Sequence, residues 1–249
     1  SLIIILIKVL KNNVVREINK NYLIPKLIFF KNIFFQSIPI TVSICGYALA
    51  ASIIFTYVGQ SGEYAAAGYG AGTRIEQVVL LPILGINTAI ISIIAQNYGA
   101  KNFNRIKETY ITAIKYAFMI MVISGIIVFI SAGIITSIFS NDPDVIEYGK
   151  RYLKISAFVL PAYPVFFLSN GFFMALKKSE MAMISNFFRN VLNPIVVFYI
   201  AKYIDASFST FFWIWVGINW FFSISYILII IYYFKNRLGK SRAILNPSP

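Results

Sequence analysis

Six long apolar runs, separated by short polar or glycine-containing breaks, set the rhythm of this chain. They occupy residues 33–58, 63–98, 109–138, 145–176, 180–203 and 207–234. A helix rises about 1.5 Å per residue, so roughly 20 apolar residues cross a bilayer. Each run is long enough to do so, some with tilt. The predicted fold class is therefore all-α: a polytopic membrane protein whose residues 32–236 form a six-helix transmembrane bundle. Residues 1–10 are apolar but too short to span, and are expected to be the end of a preceding membrane helix. Residues 11–31, rich in Lys and Asn, read as a cytoplasmic linker, and residues 237–249 as a cytoplasmic tail.

The second run carries more than a membrane anchor needs. It opens on Gly68, Gly70 and Gly72 and places Arg74 and Glu76 two residues apart. It then crosses Pro82 and Gly85, and ends on QNYGA before the basic stretch 101–107. Gly68 and Gly72, with Ala67 and Ala71, put small residues on one face, which lets a neighbouring backbone approach closely. A dinucleotide-binding loop fails as an explanation, because no strand precedes these glycines. A charge at the centre of a membrane helix costs at least about 2.5–3.5 kcal/mol. Residues two apart on a helix do not face each other. Arg74 and Glu76 therefore each need a partner on another helix or access to a cavity.

Composition changes the picture only by closing doors. With 59% hydrophobic residues, 12% charged and a mean hydropathy of +0.75, the 249-residue chain lies outside the soluble globular range. The net charge of +13 invites a nucleic-acid reading, but the basic residues are not gathered on one face. They sit in alternate connections: residues 8–31, 101–115, 177–189 and 235–242 hold all 22 Lys and Arg except Arg74, Lys150, Arg151, Lys154 and Lys202. That is the positive-inside pattern, and it puts both ends of the bundle on the cytoplasmic side. Cys45 is alone, so no disulfide forms within the chain, and there is no histidine. No nucleophile–base pair or metal-ligand set is present, so no catalytic residue, metal site or enzyme is expected.

Other candidates lie further along. Spacings of three and four place Asn186, Arg189 with Asn190, and Asn193 along one stripe of the fifth run. Pro82, Pro161 and Pro164 are helix-break candidates, because a proline within a span leaves carbonyls that bend, hydrate or coordinate a cation. Asp142-Pro143-Asp144 lacks the ligand series of a calcium loop; it reads as a helix start with Pro143 in the first turn.

The glycine-rich start, the Arg-Ile-Glu, the central Pro-x-x-Gly and the AQNYGAKN exit of residues 68–102 resemble the multidrug and toxic compound extrusion (MATE) family. The matching element there is the second helix of the C-terminal six-helix lobe. The resemblance implies two such lobes in a complete transporter, of which this sequence looks like the second. It further implies a cation-coupled antiporter for small cationic or amphipathic substrates, set in membrane lipid of the cell inner (plasma) membrane and working by alternating access. The substrate or ion pathway residues it suggests are Tyr47, Arg74, Glu76, Tyr163, Asn170, Asn186, Arg189 and Asn190. Some members of the family hold a coupling cation on carboxylates of the first and fourth helices of this lobe. Here residues 36–55 and 159–175 contain no Asp or Glu. Na+ or H+ coupling is thus expected in the N-terminal six-helix lobe, which this chain lacks, with no other cofactor. The alternatives are a lipid-linked oligosaccharide or polysaccharide flippase of related architecture and a non-transporting half-length membrane fragment. The flippase should offer several basic residues inside its cavity.

Overall fold

A computed structural model describes residues 27–235 of the chain. Two compact units divide after Ile40, and everything of functional interest below lies in the second, Thr41–Pro249. The elements in order are α1 (Leu27–Gly59), α2 (Glu63–Gly99), α3 (Phe103–Ser137), α4 (Pro143–Ser156), a 3-10 turn (Leu160–Ala162) and α5 (Tyr163–Ala175). They continue with α6 (Ser179–Phe187), a π-helical turn (Phe188–Leu192), α7 (Asn193–Tyr203) and α8 (Phe208–Tyr233). Among the described residues there is no strand, as the all-α reading requires.

Four stretches are each long and apolar enough to cross a membrane: α2, α3, Ser179–Tyr203 and α8. α4 and the segment Leu160–Ala175, bent by 41° at their junction, make a fifth. The sixth expected span falls on α1, whose residues Cys45–Gly59 form a shorter apolar helix. The end of a preceding helix at 1–10, most of the linker at 11–31 and the tail at 237–249 lie outside the described residues.

Several boundaries follow from local chemistry. The stretch 101–107, expected as a loop, is mostly helix. Asn102 caps α3 by accepting the Arg105 backbone N–H at 3.2 Å, so Arg105 and Lys107 belong to its first turns. What remains of the connection is tight, and Lys101 takes a positive φ of 57°. Asp142 caps α4, its carboxylate accepting from the N–H groups of Asp144 and Val145, with Pro143 in the first turn as its fixed φ favours. Pro161 lies in the 3-10 turn and Pro164 in the first turn of α5, so these two prolines lie where the chain bends between α4 and α5. Pro82 does not break its helix. It is exposed on the side of an uninterrupted α2, where the loss of one backbone hydrogen bond is absorbed by the turns around it.

The bundle is organised where α2 crosses α4. A β-carbon added to Gly68 would stand 2.7 Å from the backbone N of Gly149 and the carbonyl of Val145. The two backbones are therefore in direct contact, as the small-residue face predicts. One turn on, a β-carbon at Gly72 would lie 2.3 Å from Cδ1 of Tyr152. Only a glycine there leaves room for the Tyr152 ring against α2, and that ring leads to the site.

Candidate functional site

On α2 the residues Tyr69, Thr73, Glu76, Gln77 and Leu80 recur at helical spacing. They form a stripe next to the buried face of Gly68, Gly72 and Ile75. The stripe makes one wall of a cleft of about 120 Å³. Tyr47 and Ile54 of α1, Tyr152 of α4, Tyr163 of α5, Arg189 and Asn190 of the π-turn, and Phe212 and Trp215 of α8 complete it.

Glu76 is the centre of the cleft. Its two carboxylate oxygens accept hydrogen bonds from different helices: Oε2 from the Tyr152 hydroxyl, and Oε1 from the Tyr163 hydroxyl at 2.5 Å. Tyr152 reaches it because Gly72 leaves room for its ring, and Tyr163 because the 3-10 turn at Pro161 starts α5 there. A carboxylate has about four acceptor positions. Two phenol donors occupy half of them, on a side chain that lines the cleft. Around them Tyr69, Tyr152 and Phe212 pack ring on ring, with centroids 5.0, 4.8 and 5.5 Å apart. The carboxylate thus sits in an aromatic cage.

Arg189 forms the opposite charge in the wall. Its guanidinium lies 4.0 Å over the Phe166 ring, 4.9 Å over Tyr163 and 5.5 Å over Phe167. No carboxylate of the described residues is within ion-pair distance of it. Rings, in place of a directly paired carboxylate, hold the cation by their quadrupoles.

The eight residues singled out from the sequence separate into three places. Tyr47, Glu76, Tyr163, Arg189 and Asn190 meet in the cleft. Asn170 and Asn186 form a different cluster: the Tyr226 hydroxyl donates to Asn170 Oδ1 at 2.9 Å, and Asn170 Nδ2 donates to Asn186 Oδ1 at 3.3 Å. Arg74 joins neither. It is exposed on α2 and forms no ion pair with a described residue. The single stripe expected for Asn186, Arg189, Asn190 and Asn193 is also split. The π-turn between α6 and α7 closes i→i+5 bonds, so it shifts the register. Asn186 goes to the second cluster, Arg189 and Asn190 to the cleft, and Asn193 is fully buried. Sequence reading missed Tyr152, Tyr69, Phe212 and Trp215. Tyr69 was within reach, seven residues before Glu76 on the same face; the others join across 76 or more residues of chain.

This architecture has counterparts. The MatE family model matches residues 39–199. The chain belongs to the MatE family. Among curated relatives, it is 26% identical over 158 residues to a FAD transporter of Shewanella oneidensis, covering 64% of this chain and 35% of that protein. It is 24% identical over 164 residues to the probable multidrug resistance protein YpnP of Bacillus subtilis, covering 66% and 34%. The multidrug export protein MepA of Staphylococcus haemolyticus is 24% identical over 174 residues, covering 70% and 38%. A crystal structure of MATE in complex with MaL6 superposes with a TM-score of 0.77 at 20% identity, over 87% of this chain and 48% of that one. A MOP superfamily transporter from Pyrococcus furiosus gives 0.76 at 20% identity, over 92% and 50%. At these identities the two structures establish the fold. The chain spans between a third and a half of the length of each of these proteins.

Proposed function

We propose that this MatE chain is the C-terminal six-helix lobe of a multidrug exporter, a transporter and not an enzyme. In this reading it exchanges small organic cations for Na+ or H+ across the plasma membrane by alternating access, with residues 32–236 entering and leaving on the cytoplasmic side. The observation that carries it is the Glu76 carboxylate, held by two tyrosine hydroxyls with acceptor positions to spare inside an aromatic cleft. Such a site suits a lipophilic cation. The carboxylate supplies the counter-charge, and each well-placed ring adds about 0.5–2 kcal/mol. Arg189 in the same wall balances the empty cleft, and the entering cation competes with it for Glu76. The coupling ion belongs to the companion N-terminal lobe in this proposal, since residues 36–55 and 159–175 here carry no carboxylate.

The test is Glu76→Gln in the intact natural protein, measuring export of a fluorescent lipophilic cation from vesicles together with membrane abundance. A desolvated charge contact is worth about 2 kcal/mol or more, so export should fall by roughly tenfold or more at near-normal abundance. Unchanged export at normal abundance would reject the reading.

A second reading rests on Arg189 and on the FAD transporter relative: an anionic, flat substrate that stacks in the cleft and pairs with the guanidinium. Arg189→Gln would then abolish export while Glu76→Gln would spare it, the reverse of the first outcome. A lipid pyrophosphate flippase is less well supported, because Arg189 is the only basic residue among the described residues that line the cleft.

A further inference from the structure

Far from the Glu76 cleft, α3 and α8 leave a groove of about 590 Å³ between them. Its walls are apolar, with Ile111 and Ile114 on one side and Ile227 and Ile231 on the other. The floor is closed by Tyr110 against Phe234, ring centroids 5.8 Å apart. The Tyr110 hydroxyl is taken up by Ser169 at 2.6 Å, so it offers nothing polar to the groove. Three lysines line the same groove: Lys107 and Lys115 from α3 and Lys235 from the end of α8. All three are exposed, and none is ion-paired with a described residue. The carboxylate next to Lys107, Glu108, is committed to Arg105 at 2.8 Å. The groove therefore combines a lipid-like interior with an uncompensated threefold positive charge.

We propose that this groove binds one anionic diacyl phospholipid from the leaflet on the lysine side, its phosphodiester among Lys107, Lys115 and Lys235 and an acyl chain along the isoleucine walls. Three features set this apart from ordinary contact with bulk lipid. Lys107 and Lys115 lie eight residues apart, about 12 Å along the α3 axis, so they address a headgroup and its glycerol region together. Each long apolar stem can lie on the isoleucines while its ammonium reaches the headgroup layer. A basic pocket between membrane helices on the positively charged side is also the arrangement that retains anionic headgroups. Phosphatidylcholine carries the same phosphodiester, but its quaternary ammonium adds a positive charge beside the three lysines, so the site favours a lipid of net negative charge. The proposal requires only that the chain lie in a membrane, and stands whether or not the transport reading does.

The experiment uses the intact natural protein purified into nanodiscs made of equal parts phosphatidylglycerol and phosphatidylcholine, with retained lipid read by native mass spectrometry after transfer to detergent. One tightly held phosphatidylglycerol per chain is expected, and its retention should fall roughly 100-fold in the Lys107→Gln/Lys115→Gln/Lys235→Gln variant. The matching triple Lys→Arg variant keeps the charge and should keep the lipid, which separates loss of charge from loss of fold. Lys202→Gln, in the last turn of α7 and outside this groove, should also keep it. Equal retention of phosphatidylcholine, or phosphatidylglycerol retention unchanged in the triple Gln variant, would overturn the proposal.

Discussion

Two polar clusters share this bundle and are built on opposite plans. Around Asn170 every group meets another: Tyr226 donates to Asn170, Asn170 donates to Asn186, and beside them Tyr110 and Ser169 share a 2.6 Å hydrogen bond. Both Asn170 and Tyr226 are buried, and the cluster ties α5 to α6 and α8 as polar side chains do between membrane helices. Around Glu76 two tyrosines also donate, but to a carboxylate with acceptor capacity left over, in front of an aromatic-walled void. Tyrosine hydroxyls are therefore not the mark of a site. A cluster whose donors and acceptors are matched is a structural tie; one left unmatched next to open space is what the proposed function uses to bind.

The sharpest way to break the contrast is Gly72→Leu. The Tyr152 ring would have to leave α2, taking its hydroxyl from Glu76, while the Asn170 cluster is untouched. Overpacking of this kind costs about 1–3 kcal/mol or more. Cation binding to the cleft should be lost altogether, with a lowered melting temperature; binding retained at wild-type affinity would show that Tyr152 does not organise the cleft. Asn170→Ala is the complementary change. It strips Tyr226 and Asn186 of a buried partner at a cost of about 1–3 kcal/mol. Thermal unfolding should show this loss while substrate affinity stays put, and a change in affinity without a change in stability would reverse the two roles. The smallest effect is expected for Arg74→Gln. An exposed residue without an ion pair should shift stability within about 0.5 kcal/mol. Export should be unaltered, and a clear loss of export would bring Arg74 into the pathway.

Most of the fold was legible before the structure, because the information is one-dimensional. Run length against bilayer thickness gives the spans, and Gly68 and Gly72 at a spacing of four announce the close crossing that α2 makes with α4. Local signals mislead where a proline is counted without its surroundings. Pro82 sits on an exposed face of a long helix and is tolerated, whereas Pro161 and Pro164, five and eight residues after α4 ends at Ser156, coincide with a 41° bend. The π-turn before Pro194 had no reading in periodicity, and its shift in register scattered a stripe of Asn and Arg that the 3.6-residue repeat placed together.

Arg74 and Glu76 mark the boundary most clearly. The sequence determined that two charged groups lie in one membrane helix and point different ways, since helical geometry alone separates residues two apart. Their fates were decided elsewhere. Glu76 turns toward α4 and α5, where two hydroxyls solvate it in place of water, while Arg74 turns to an exposed face. Which direction holds a partner depends on how α4 and α5 pack against α2, from residues 76 and 87 positions away. Contacts at that separation are properties of the assembled bundle, and only the tertiary structure supplies them.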